Sequence, residues 1–180
     1  MKLIWHYTAV HRIADILRCG YVDVARLHVV PPEKPLAWFS ADQDWERTVR
    51  KLAPLGSMQE MLRVGIKLYR IGVLPEAAPL NWTAIRKQSG MSGKTVHLLL
   101  QNAKRWGANP WDWYGSFSPV PESQWQAVEI FKNGWEKVTV AETQKSETWR
   151  RADGNVGPPE DLFQQHNESN ARSLDDDARF

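Results

Sequence analysis

Leu3-Ile4-Trp5-His6-Tyr7-Thr8-Ala9-Val10 opens the chain with two periodicities laid end to end. Leu3, Trp5 and Tyr7 alternate with Ile4 and His6, the period of two that a strand requires, so His6 points to one sheet face and its neighbours to the other. From Val10 the period changes: Val10, Ile13, Ala14 and Leu17 fall at helical spacing, and Gly20 stands just past their end. Thr8 sits where the period switches and is the expected N-cap. A strand, a junction carrying a hydroxyl and a helix are therefore expected in the first twenty residues.

The same arrangement recurs further along. Leu36-Ala37-Trp38-Phe39-Ser40 reads as a strand, Trp45, Val49 and Leu52 mark a helix ending at Pro54, and Ser40 with Gln43 has the spacing of a capping box. Met61 to Tyr69 alternates imperfectly and is expected as a strand. Asn81 is placed to cap a short helix through Trp82 and Ile85, and Val96, Leu99, Leu100, Ala103 and Trp106 form an apolar stripe that ends at Gly107. Residues 109–121 combine loop punctuation with Trp111, Trp113, Tyr114 and Phe117, and are expected as an aromatic loop. Gln124 to Phe131 and Trp135 to Val140 read as two late strands. Strands and helices mixed in this order give an α+β fold.

Composition sets the limits. With 180 residues, 42% apolar and 24% charged, the chain suits one folded domain. No apolar run is long enough to span a bilayer, and a cytoplasmic protein is expected. The single Cys19 forms neither an internal disulfide nor a zinc site by itself, and is expected as a small core residue. Of 23 basic and 21 acidic residues, four and eight fall from Ser146 onward, leaving a basic body of 19 against 13. That split, with the Gly, Pro, Gln and Asp content of the end, divides the chain into a domain over 1–145 and an acidic, disordered tail over 146–180. The ten tryptophans exceed ordinary usage several-fold, and point either to a compact aromatic core or to a pocket for flat ligands.

Among polar residues Glu129 is the most unusual. Period two places it with Trp125, Ala127 and Phe131, while Val128 and Ile130 line the other face, so a carboxylate must be paired, protonated or open to a pocket. A salt bridge to one of the many Arg and Lys residues is the plain structural reading; a catalytic acid is the other. His6, Thr8 and Ser40 each have an ordinary structural explanation taken singly. His11, His28 and His97 lack ligand spacing, and no metal is expected.

Taken together, Trp5-His6-Tyr7-Thr8, then Trp38-Phe39-Ser40, then Glu129 on a late strand resemble the three ordered motifs of the ADP-ribosyltransferase superfamily, nearest its His-type branch of diphtheria toxin and the poly-ADP-ribose polymerases, in a compact bacterial or phage form. The resemblance implies a split β-sandwich with peripheral helices, and NAD as co-substrate. It implies cofactor binding by His6 on the adenosine ribose, Tyr7 and Thr8 near the nicotinamide amide, Trp38 stacked on the ring, and Phe39 and Ser40 beside it. Glu129 would be the catalytic acid. Trp111, Trp113, Tyr114 and Phe117 would lie in the loop that recognises a macromolecular target, protein or nucleic acid, as in toxins and counter-defence proteins. Two positions depart from the pattern: Tyr7 stands where the family carries glycine, and Trp38 where it carries tyrosine. A catalytically silent nucleotide or nucleic-acid binder of the same fold, and the RNA phosphotransferase branch, stay open beside the transferase.

Overall fold

The computed structural model describes residues 2–27, 29–49 and 57–146. Strand β1 (Ile4–Ala9) passes directly into helix α1 (Val10–Cys19), which stops at Gly20 with φ +74, the left-handed conformation that glycine adopts without steric cost. Thr8 remains inside the strand, fully buried; Ala9 precedes the helix and, having no side-chain acceptor, makes no cap, while the Val10 amide donates to the Lys67 carbonyl. After β2 (Tyr21–Val22) and β3 (Ala37–Ser40) the expected helix does not form. Asp42 takes the amides of Asp44 and Trp45 in a local turn, and Gln43 reaches back to the Leu3 and Ala41 carbonyls. These polar side chains satisfy the backbone locally and hold residues 41–49 as a loop; Leu52 and Pro54 lie outside the described residues.

Helix α2 (Met58–Arg63) begins with a full capping box between Ser57 and Glu60, where a strand was expected. The strand of that region is β4 (Leu68–Val73), starting only after Gly65 turns the chain at φ +81. Beyond β5 (Leu80–Asn81), Asn81 caps α3 (Trp82–Gln88) by accepting from the Ala84 amide, and α4 (Gly93–Trp106) ends at Gly107, both as the sequence suggests. The aromatic stretch is not a plain loop. It contains β6 (Trp113–Ser116) and β7 (Val120–Pro121), followed by β8 (Trp125–Phe131), β9 (Trp135–Val138) and α5 (Val140–Ser146). Cys19 is exposed and not a core residue. The remainder of the acidic tail lies outside the described residues.

Seven strands form one sheet in the order β5-β6-β3-β1-β4-β8-β9, antiparallel at every registered pair, and β2 pairs with β7 in a second small sheet. The protein is thus α+β. The pairing within the large sheet is uneven. β1 runs in register with β4 from Ile4↔Val73 to Ala9↔Leu68, but meets β3 at the single pair Trp5↔Ser40. One sheet face carries an unbroken core of Ile4, Phe39, Ile71 and Val128 under α1. The other carries two separate clusters: Trp5, Tyr7, Trp45, Met61 and Leu68 over β1 and β4, and Leu36, Trp82, Ile85 and Trp113 over β3 and β6. The interruption follows the seam between β1 and β3.

Gly72 on β4 shows how tightly the first of these clusters closes on the sheet. A Cβ there would lie 2.5 Å from Trp5 Cζ3 and 3.0 Å from Leu3 Cδ1. Gly72→Ala is expected to destabilise the fold by about 1 to 3 kcal/mol, the usual cost of overpacking, read as a lower urea midpoint at unchanged slope.

Candidate functional site

Where β1 and β3 part, a hollow of about 390 Å³ opens between the two clusters. β1 lines it with Trp5, His6 and Tyr7, β3 with Trp38, Phe39 and Ser40, β6 with Trp113, and α4 with Leu99 and Asn102. The walls are mostly aromatic with a few polar groups, the usual make-up of a site for a small flat ligand. Trp38 and Trp113 meet edge to face with centroids 6.2 Å apart, and Trp113 rests in turn on Trp82 at 5.1 Å. Trp38 is half-buried, leaving part of its ring to a ligand.

His6 marks the seam. Its Nδ1 lies 2.9 Å from the Trp38 carbonyl oxygen, and since a carbonyl only accepts, Nδ1 carries the proton. The imidazole therefore ties β1 to β3 beyond the last registered backbone pair, and its ring meets Phe39 edge-on at 5.8 Å. A second hollow of about 470 Å³ shares His6, Asp23 and Ala25 with the first and adds Thr8, Arg12 and Arg26. Thr8 Oγ1 is buried without a hydrogen-bond partner among the described residues, as is the indole Nε1 of Trp113 in the first hollow.

Glu129 is elsewhere. The row Tyr7↔Arg70↔Glu129↔Lys137 crosses the sheet on one face, and the row His6↔Ile71↔Val128↔Val138 on the other. Glu129 Oε2 accepts from Arg70 Nε at 2.7 Å and from Nη2 at 2.6 Å, with both side chains about nine-tenths buried. The guanidinium lies over Trp5 at 3.9 Å and Trp135 at 4.4 Å, and its Nη1 donates to the Gln43 carbonyl. Glu129 does not line the hollow, so the expected meeting of His6, Trp38 and Glu129 in one cleft does not occur. Its carboxylate is neutralised two strands from β1. The expected sharing of a face with Trp125 also fails, because a register shift at Gly72 and Val73 sends Trp125 to the opposite core.

The carboxylate that does line the hollow is Glu46, which sequence reading passed over. It is 5% exposed; Oε2 accepts from the Ser40 hydroxyl at 2.9 Å, and Oε1 from the Thr48 hydroxyl at 2.7 Å and amide at 3.1 Å. Its neighbour Trp45 is the only local signal: a large apolar ring among Asp42, Asp44 and Glu46 anchors the loop and carries the adjacent acid inward. Of the residues expected to recognise a target, Trp113 is buried and lines the hollow, Tyr114 and Phe117 are half-buried with Lys34 over the Phe117 ring, and Trp111 is 67% exposed.

Comparison of the chain with family models, with curated proteins and with solved structures finds no match. Among the described residues no helix is long and apolar enough to cross a membrane, and no group of three or more His, Cys, Asp or Glu is arranged to hold a metal ion.

Two expectations follow from the buried charges. Glu129→Gln leaves the Arg70 guanidinium buried without its counter-charge and should cost about 3 to 5 kcal/mol, whereas the double variant Arg70→Met with Glu129→Leu should cost less than that single change. Urea titrations of the three proteins measure both. Burial pushes the Tyr7 phenol above its ordinary range, with Arg70 offsetting part of the rise. A raised phenol contributes stability that is complete below the unfolded-state value and is lost as pH climbs from there through the folded-state value. Stability should therefore begin to fall at about pH 10, the ordinary phenol value, and keep falling as pH rises above it, and Tyr7→Phe should flatten that fall, as followed by denaturation midpoints across the alkaline range.

Proposed function

We propose that the protein binds NAD across the two hollows and transfers its ADP-ribose to a macromolecular acceptor. The observation that carries this reading is the parting of β1 from β3 around His6, with aromatic walls on one side and arginines on the other. A pyridinium ring suits the first hollow, since Trp38 offers a flat face to a flat cation. The second hollow is lined by Arg12, by Arg26 in its ion pair with Asp23, by Asp15, and by Thr8, whose hydroxyl has no partner among the described residues; its arginines are the groups suited to a pyrophosphate. His6 borders both and would stand beside the middle of a bound dinucleotide. In this reading the large sheet, parted at its β1–β3 seam, is the split sandwich of the superfamily that the His6, Trp38 and Ser40 motifs resemble.

In the reaction the bond between ribose C1′ and the pyridinium nitrogen breaks. Its electron pair stays on the nitrogen, and neutral nicotinamide leaves. The cationic sugar is then taken by an acceptor nucleophile, which gives up its proton to water. Charge develops on the sugar as in glycoside cleavage, so a carboxylate in a dry pocket is the group that would assist most. The acceptor is a protein or a nucleic acid. Exposed Trp111 and the basic body suit a base and a phosphate backbone.

A second reading, a silent nucleotide binder of the same architecture, is favoured by one observation: the acid on the late strand is locked to Arg70. The two part on nicotinamide release. Titration of NAD into the protein with tryptophan emission as readout should show saturable quenching. Trp38→Ala should weaken it by about 5- to 150-fold, the equivalent of one stacked ring. Nicotinamide appearing in the supernatant favours the transferase; binding without release favours the silent binder.

A further inference from the structure

We infer that Glu46, on the loop after β3, is the carboxylate that meets the cationic end of the ligand and steadies the sugar as it ionises. This rests on the reading of the first hollow as a pyridinium site. It assigns to a loop residue the part that sequence motifs give to Glu129.

The burial of Glu46 is the starting point. A carboxylate so enclosed is normally paired with a cation, protonated, or turned toward something it serves. Among the described residues the partners of Glu46 are Ser40 and Thr48, which supply neutral donors, and no ion pair includes it. Glu129, with comparable burial, has an arginine bonded at two nitrogens. Two buried glutamates thus differ in their partners: Glu129 has a cationic partner, and Glu46 has none among the described residues. The one without a cation lines the aromatic hollow.

Its fastening also suits such a role. Ser40 is the last residue of β3 and shares the only registered β1–β3 pair with Trp5, so the hydroxyl that holds Oε2 sits at the fixed corner of the seam. Thr48 holds Oε1 through both hydroxyl and amide. Three neutral donors orient the carboxylate without cancelling its charge, leaving a preorganised negative group in low dielectric. Trp113, which lines the same hollow, has a buried indole N–H without a partner among the described residues. Glu46 thus offers one anionic acceptor in a hollow walled by aromatic rings, which suits the ring charge of a flat cation. When the C1′–nitrogen bond breaks, the positive charge moves from ring to sugar, and a carboxylate beside that bond serves first one and then the other. The electron pair leaves with nicotinamide, and Glu46 forms no covalent bond.

The test uses the full chain as wild type, Glu46→Gln and Glu46→Asp, with 1-methylnicotinamide, methylated on the ring nitrogen, and nicotinamide as a cationic and a neutral probe that differ by one methyl group. Wild type should prefer the cation by about tenfold or more, equivalent to about 1.4 kcal/mol. Glu46→Gln, which keeps the volume and whose amide oxygen can still accept from Thr48 while its NH2 donates to the Ser40 hydroxyl, should lose that preference at a melting temperature near that of wild type. Release of nicotinamide from NAD should fall at least a hundredfold in kcat for Glu46→Gln, with NAD binding weakened by no more than about the tenfold that the lost charge preference accounts for, and Glu46→Asp should recover part of it. A wild-type protein that binds neither NAD nor the cationic probe overturns the reading of the hollow. Binding of NAD with charge preference and nicotinamide release unaltered in Glu46→Gln overturns the assignment of Glu46 alone. Lost charge preference in a protein that never releases nicotinamide supports Glu46 as the ligand's counter-charge and overturns its part in bond cleavage. If Glu46→Gln melts far below wild type, the retained preference or loss of preference in Glu46→Asp decides the same question.

Discussion

One registered backbone pair, Trp5↔Ser40, joins the two halves of the large sheet. Antiparallel strands ordinarily repeat that pairing along their length, since unpaired backbone groups in a protein interior are costly. Here His6 supplies a substitute. Its Nδ1–H bonds the Trp38 carbonyl, so β1 and β3 part while that acceptor stays satisfied. The space gained by parting is the aromatic hollow, and the residues that flank it are those adjoining the seam. A polar side chain at the third position of the first strand thereby decides where the core is interrupted.

A cavity at a seam needs rigid walls, and the wall over β1 and β4 is built around a buried charge. Arg70 lies between the faces of Trp5 and Trp135, with Glu129 and the Gln43 carbonyl taking its N–H groups. Trp135 stacks nearly parallel to Trp45, at 7°, and also meets Tyr7. Tyr7 in turn donates to the Asp42 carbonyl. The loop 41–49, which has no regular structure of its own, is pinned by these contacts at Asp42, Gln43 and Trp45. Guanidinium is the cation suited to this position, because its weak hydration and flat shape permit burial between indoles where an ammonium would demand water. The abundance of tryptophan thus serves a core and a pocket at once: Trp45 and Trp135 in the first, Trp38 and Trp113 facing the second, and Trp5 belonging to both.

How much of this could be read from the chain depended on the range of the deciding interaction. Gly20, Asn81 and Gly107 bound their helices through contacts within one turn, and the apolar stripe of α4 is a local periodicity, so these were legible. The helix expected after Ser40 failed because Asp42 and Gln43 compete for backbone groups in a way that apolar spacing does not register. β6 was hidden by flanking Pro, Gly and Ser, although Trp113 and Tyr114 show a strand's alternation of buried and half-buried. His6, Trp38, Phe39 and Ser40 were found as a group because each adjoins a strand end. Glu46 could not be found that way: its burial depends on where the loop 41–49 docks, and that is set by contacts distant in sequence, such as the Trp5 indole donating to Gln43, 38 residues away.

The two buried glutamates show why residue type and burial alone do not identify a working acid. Glu129 was conspicuous in sequence because its strand is apolar on both faces, yet that environment selects for a neutralising partner as readily as for a reactive group, and β4 supplies one at the directly opposing position. Glu46 was inconspicuous because its neighbours are polar, yet those neighbours bring it hydroxyl and amide donors in place of a cation. Desolvation penalises an uncompensated carboxylate, and hydrogen bonds from neutral donors offset only part of that penalty. In the proposed reading, what remains is an attraction for positive charge confined to the hollow at the seam. A ligand whose charge is fixed, flat and shielded from water relieves it better than a mobile ammonium, which would have to give up its own hydration to enter an aromatic cavity.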